Sequence, residues 1–93
     1  GASRPLGRAL TLALAQRGVA VAGIARSAFE AGHPGIHPLA ADVRDPRAVT
    51  AAFETIRARI GAPTILINGA EIYPHRDILN ETPESFLDTM QVN

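Results

Sequence analysis

Cysteine, lysine and tryptophan are all absent from this chain. Without cysteine there is neither a disulfide framework nor a thiolate metal site. Without lysine, all nine basic residues are arginines, so any chemistry that needs an ammonium group is missing from these residues. Charge of one sign is also lacking. Nine acidic residues balance the nine arginines to a formal net charge of +0. That balance argues against a nucleic-acid footprint or a polybasic membrane patch. No apolar run approaches the span of a bilayer, and no charged-then-apolar leader pattern opens the chain. The three histidines, His33, His37 and His75, lack the His-x-x-x-His spacing of a helical metal site, so no metal is expected. A soluble cytoplasmic protein is the expectation. What is present is 46% hydrophobic residues in 93, enough for one small core.

The apolar residues alternate between helical and strand-like patterns. Leu6, Leu10, Ala13 and Leu14 recur at three- and four-residue steps and predict a helix over Leu6–Arg17. Pro5 suits its first turn, and Gly18 is placed to end it. Val19–Ile24 is a continuous apolar run rich in β-branched residues, the mark of a strand covered on both faces. Residues 25–35 read as a loop. Gly35–Ala41 is a weaker strand, because Pro38 lies inside it. Asp45-Pro46 predicts a capped helix running to Ile60 and closed by Gly61. Thr64–Asn68 ("TILIN") reads as a strand. Thr82-Pro83-Glu84 opens a last helix whose apolar face is Phe86, Leu87 and Met90. Buried-type strands between helices predict an α/β fold, a doubly wound parallel sheet.

The opening "GASRPLGRAL" is a glycine-flanked turn running into a helix N-terminus. Backbone N–H groups and the helix dipole there favour anions, and missing Cβ atoms allow close approach. The stretch resembles the Thr-Gly-x-x-x-Gly-x-Gly turn of the short-chain dehydrogenase/reductase family, beginning one residue late. "ADVRD" (Ala41–Asp45) looks like the family's Asp-Val-x-Asp element. "ILINGAEIYP" (Ile65–Pro74) is similar to its Asn-Asn-Ala-Gly segment. "ETPESFLDTMQVN" looks like the following helix, ending on the family's asparagine. All four elements stand in the family's order. The "NGAEIYP" and "QVN" patterns look like the classical branch rather than the extended one of nucleotide-sugar epimerases and dehydratases.

The resemblance implies a Rossmann-like doubly wound parallel sheet with helices on both faces. It is expected to be incomplete, with the first strand and the C-terminal half missing, so that 1–93 is a partial dinucleotide-binding domain. In the strand order 3-2-1-4-5-6, Val19–Ile24 and Thr64–Asn68 would then lie on either side of the absent first strand, not hydrogen-bonded to each other. Position by position, Gly1 would make the tight turn, Ser3, Arg4 and Leu6 would lie along the phosphates, and Gly7 would allow close helix packing. Asp42 would accept a hydrogen bond from the adenine amino group, with the Val43 N–H meeting a ring nitrogen. Asn68 and Ala70 would line the cofactor ribose. Asn93 would match the asparagine that holds a water in the family's proton relay. Ala25 and Arg26 stand where NAD-preferring relatives carry an acid. Arg26 with Arg4 would clamp a 2′-phosphate, favouring NADP over NAD.

Three positions depart from the family pattern: Pro5 for the middle glycine, Gly69 for the second asparagine and Glu71 for the last glycine. The family's catalytic Ser and Tyr-x-x-x-Lys pair do not occur. The only tyrosine, Tyr73, is followed by Pro-His-Arg-Asp. In the family those groups lie beyond the equivalent of Asn93. The expected function is hydride transfer between a nicotinamide dinucleotide and a small alcohol or carbonyl compound, in a homo-oligomer, dimer or tetramer, when full length. The alternative is a catalytically inactive nucleotide-binding or regulatory module, suggested by Pro5 and Glu71.

Overall fold

A computed structural model describes residues 1–93. The chain is α/β: helix α1 (Pro5–Ala15), strands β1 (Val21–Ala25) and β2 (Ile36–Ala40), helix α2 (Pro46–Ile60), a short 3-10 turn (Ile78–Asn80) and helix α3 (Pro83–Val92). The two strands pair in parallel, with Val21 opposite Ile36 and Ala25 opposite Ala40. This is part of a Rossmann-like architecture.

Local chemistry sets the element ends. Pro5, Pro46 and Pro83 each sit in the first turn of a helix, where a missing N–H loses no intrahelical bond. Asp45 caps α2 by accepting from the Arg47 N–H at 2.9 Å, and Thr82 caps α3 by accepting from Ser85 at 3.2 Å. Gly18 adopts φ 81°. Its N–H donates to the Ala15 carbonyl and that of Val19 to the Leu14 carbonyl, the paired bonds of a Schellman closure. That closure uses Val19 for the helix end, so β1 starts at Val21 rather than Val19. Pro38 lies within β2, opposite Gly23. β1 is the one strand paired with β2, so β2 keeps a free edge toward which a residue without an N–H can face.

The connection between β1 and β2 is a loop throughout, as expected. Phe29 folds back from it over β1. A Cβ on Gly23 would come within 2.9 Å of the Phe29 ring and 3.1 Å of the Ala2 methyl, so glycine there makes room for the aromatic ring. The buried residues are small or β-branched: Ala2, Ala15, Gly23, Ala25, Ile36, Ala41, Ala52 and Ile56. Ala52 and Ile56, four apart, are the buried stripe of α2.

One expectation needs correction. Thr64–Asn68 forms no strand, and none of its backbone groups is hydrogen-bonded within the chain. Ile65 and Leu66 are more than two-thirds exposed. An apolar pattern specifies a tendency to extend, but a strand also needs a neighbouring backbone to pair with. β1 does not supply it. Instead the Gly1 and Ala2 N–H groups both reach the Ile24 carbonyl, at 3.0 and 3.1 Å, and Gly1 abuts the Gly69 carbonyl on its other side. Gly1 therefore lies between β1 and the end of the 64–69 segment, in keeping with the strand order 3-2-1-4. The apolar face of α3 stands on the helix as read but is uncovered. Phe86, Leu87 and Met90 are each more than half exposed, because no other element of residues 1–93 packs over them.

Ile56 gives the clearest stability test. Ile56→Ala in the full-length protein should lower unfolding free energy by about 2–5 kcal/mol, through lost burial and a residual cavity. The exposed neighbour change Glu54→Ala should shift it by less than about 0.5 kcal/mol. Denaturant unfolding with matched slopes measures both, and equal effects would show that the α2 stripe is not part of the core.

Candidate functional site

The Gly1 turn, Arg26 and Asp42–Val43 lie at the C-terminal ends of the two parallel strands, the end at which α/β sheets bind ligands. The turn from Gly1 closes through an Arg4 N–H bond to the Gly1 carbonyl at 3.1 Å, and α1 starts at Pro5. Arg4 is the N-cap and provides no side-chain cap. The N–H groups of Ser3, Leu6 and Gly7 find no acceptor within the chain. Pro5 has none to offer. Leu6 is 82% exposed, so these donors lie at an open helix N-terminus, where the dipole favours an anion.

Two glycines are required by packing. A Cβ on Gly7 would overlap the Gly1 carbonyl, and a Cβ on Gly1 would overlap that of Gly69. The turn, α1 and the Gly69–Ala70 backbone thus meet without side chains between them. Asn68 is exposed and its side chain has no partner in the chain. Glu71, the acid in place of a glycine, is exposed and in no ion pair. The Asn93 side chain grips Ile72, accepting from its N–H at 2.9 Å and donating to its carbonyl at 3.0 Å. The end of α3 thereby fixes the backbone just after Gly69–Ala70–Glu71.

At the end of β2, Asp42 and Val43 follow the buried Ala41, whose N–H donates to the Ala25 carbonyl at 2.8 Å. The Val43 N–H has no partner within the chain. The Asp42 carboxylate is held by Arg44 alone. It accepts from the Arg44 backbone N–H at 3.0 Å, from Nε at 3.0 and 3.2 Å, and from Nη2 at 2.6 Å. The other guanidinium nitrogen, Nη1, pairs with Asp88 of α3. Arg44's side-chain hydrogen bonds, followed by its backbone bond, hold the Asp42 carboxyl at about 2. The same partners raise the Arg44 guanidinium above its ordinary value.

Arg4 lines an open crevice of about 590 Å³ that runs between the 72–76 loop and α3, beside Tyr73, Arg76 and Asp88. Arg26 is exposed and outside that crevice. Its charge adds, after that of Arg44, to the lowering of the Asp42 carboxyl. Arg44 and Asp88 were missed by sequence reasoning. The Asp-x-Arg spacing at 42–44 signals the inner half of the bridge. No local signal marks Asp88, which lies 44 residues from its partner. The histidines serve locally: His33 Nδ1 accepts from the Gly35 N–H, and the His75 ring meets Tyr73 edge-on at 5.0 Å.

Comparison with known proteins places these features in a family. The family model described as short chain dehydrogenase matches residues 1–93. The 3-oxoacyl-[acyl-carrier-protein] reductase FabG of Escherichia coli (strain K12) is 35% identical over 101 aligned positions, covering 100% of this chain and 41% of that protein. The Salmonella typhimurium FabG is 33% identical over the same extent. Farnesol dehydrogenase of Aedes aegypti is 30% identical, covering 85% of this chain and 36% of its own length. The chain thus spans about two fifths of the length of the curated relatives it matches.

The bridge has a pH signature. A carboxyl whose folded value is depressed stabilises the fold above its unfolded value, and loses that contribution as pH falls through the folded one. For Asp42 the window runs from 3.8 down to about 2. Titration of the Asp42 carboxyl carbon by NMR should show its midpoint at the lower end, and Arg44→Ala should return it to the ordinary range. An ordinary midpoint in the unaltered protein would show that Arg44 does not hold Asp42 in solution.

Proposed function

The chain belongs to the short-chain dehydrogenase/reductase family, and on that premise we propose that it forms the cofactor-binding half of a nicotinamide-dinucleotide-dependent oxidoreductase acting on a small alcohol or carbonyl compound. The observation that carries this reading is the turn of Gly1–Gly7. Its unpartnered N–H groups open at a helix N-terminus, at the carboxyl end of parallel strands, and its two glycines leave no room for side chains. That cradle fits a pyrophosphate. In this reading Ser3, Arg4 and Leu6 lie along the phosphates, Asn68 and Ala70 flank the ribose, and Asp42–Val43 face the adenine. Asn93 is the family's relay asparagine, and its grip on Ile72 supports the backbone beside the cofactor.

A bound nicotinamide dinucleotide supplies the hydride acceptor or donor. The residues of this chain bind and orient it. Arg26 stands at the end of β1, where a ribose 2′-substituent is read, and no carboxylate competes at Ala25 or Arg26. This supports NADP as the preferred cofactor, with NAD accepted more weakly. Because Arg4 faces the crevice on the α3 side, the preference rests on Arg26. Cytoplasmic location and a homo-oligomeric state belong to the same proposal. No helix is long and apolar enough to cross a membrane.

Calorimetry of the full-length protein with NADP and NAD tests the reading. Gly7→Val should abolish binding of both, because the new side chain must displace the Gly1 carbonyl. Unchanged binding would remove the turn from the site. Arg26→Ala should weaken NADP by about 10- to 100-fold, the range for one charge-assisted hydrogen bond, and leave NAD nearly unchanged. Equal loss for both cofactors, or for neither, would show that Arg26 does not read the 2′-phosphate.

A further inference from the structure

We propose that Glu71 sets the oxidation-state preference of the cofactor site: its carboxylate stands at the nicotinamide end of the dinucleotide, where it favours the oxidised ring over the reduced one. This depends on the proposed binding of a nicotinamide dinucleotide across the strand ends. Glu71 takes the place of a glycine in the family pattern, so the preference belongs to this chain and not to the scaffold.

The order of contacts along the strand ends carries it. Gly1 donates to the Ile24 carbonyl on one side and abuts the Gly69 carbonyl on the other. The pyrophosphate turn thus stands between the β1–β2 pair and the 64–71 segment. With the adenosine half on the β1–β2 side, at Arg26 and Asp42–Val43, a dinucleotide centred on the turn has its nicotinamide half on the side of Gly69–Glu71. A Cβ on Gly1 would come within 3.1 Å of the Ala70 nitrogen, and Glu71 is the first ionisable residue after that contact. The backbone there is fixed, because Asn93 holds both the N–H and the carbonyl of the next residue, Ile72.

Nothing within the chain neutralises this carboxylate. Glu71 is exposed, in no hydrogen bond and in no ion pair. It is outside the crevice on the α3 side, where Arg4 and Arg76 are found. Asp42 and Asp88, by contrast, share Arg44. An unpaired carboxylate acts on a bound dinucleotide in two ways. It repels the phosphates, whose charge is the same in both oxidation states. It attracts the nicotinamide ring only when that ring is oxidised, since the oxidised ring carries a positive charge and the reduced ring is neutral. The first effect cancels from the ratio of the two affinities, and the second remains. An acid that is unfavourable for the phosphates is thereby favourable for one oxidation state.

The test measures dissociation constants of the full-length protein for the oxidised and the reduced form of the dinucleotide it prefers. Glu71→Gln keeps the size and removes the charge. It should move the ratio of affinities about three- to tenfold toward the reduced form, the range for two unit charges within a Debye length in a partly solvated site. Glu71→Asp keeps the charge and should hold the ratio within about twofold of the unaltered protein. A second measurement needs no variant: raising salt from about 0.05 M to about 0.5 M should shrink the preference of the unaltered protein for the oxidised form. Equal tightening of both forms in Glu71→Gln would show that the carboxylate acts on the phosphates alone. No change in either form would show that it faces away from the cofactor. Either result, or a ratio that salt does not move, overturns the proposal. An unaltered protein that binds neither form would instead refute the cofactor reading, and the proposal with it.

Discussion

Backbone meeting backbone without side chains between is the constraint on which the site depends. Gly7 sits against the Gly1 carbonyl, and Gly1 sits against that of Gly69. Gly1 and Ala2 in turn donate to Ile24 at the end of β1. One turn therefore locates α1, β1 and the segment after residue 68 relative to one another. The first amide groups of α1 are unpartnered, as at any helix N-terminus, and the absence of Cβ atoms at two positions sets how closely the turn packs against them.

The second long-range tie is electrostatic. Asp42, Arg44 and Asp88 join the end of β2 to the middle of α3, while Asn93 joins the end of α3 to Ile72. These contacts position α3 although its apolar face buries little within residues 1–93. Exposed ion pairs contribute modestly to stability. Their value here is directional: a planar guanidinium held at both ends fixes which lone pairs of Asp42 remain for any ligand.

Family membership and site chemistry are separable in this chain. Membership follows from the match over residues 1–93 and from relatives at 30–35% identity. The activity named for those relatives belongs to proteins of which this chain spans about two fifths. Of the details that would set one member apart from another, Arg26, Arg44 and Glu71 lie on loops, where a common scaffold tolerates change, and Pro5 lies in the first turn of α1.

The sequence by itself determined the elements whose causes are local. Prolines in first turns, Asp45 and Thr82 as caps, and Gly18 as a left-handed terminus placed α1 and α2 to within two residues and the start of α3. Apolar runs located β1 and β2. The tertiary structure alone decided what depends on partners. Thr64–Asn68 has the composition of a strand and none of its bonds, because a ladder requires a second backbone. Phe86, Leu87 and Met90 form an apolar stripe that nothing within these residues covers. Arg4 and Arg26 read as a pair in sequence and face different surroundings in space. Asp42 reads as a free acceptor and is paired with Arg44, which is itself held by a residue on a distant helix. Periodicity and capping act over a few residues, whereas the state of a carboxylate is set by whichever charge the fold brings within a few ångströms of it.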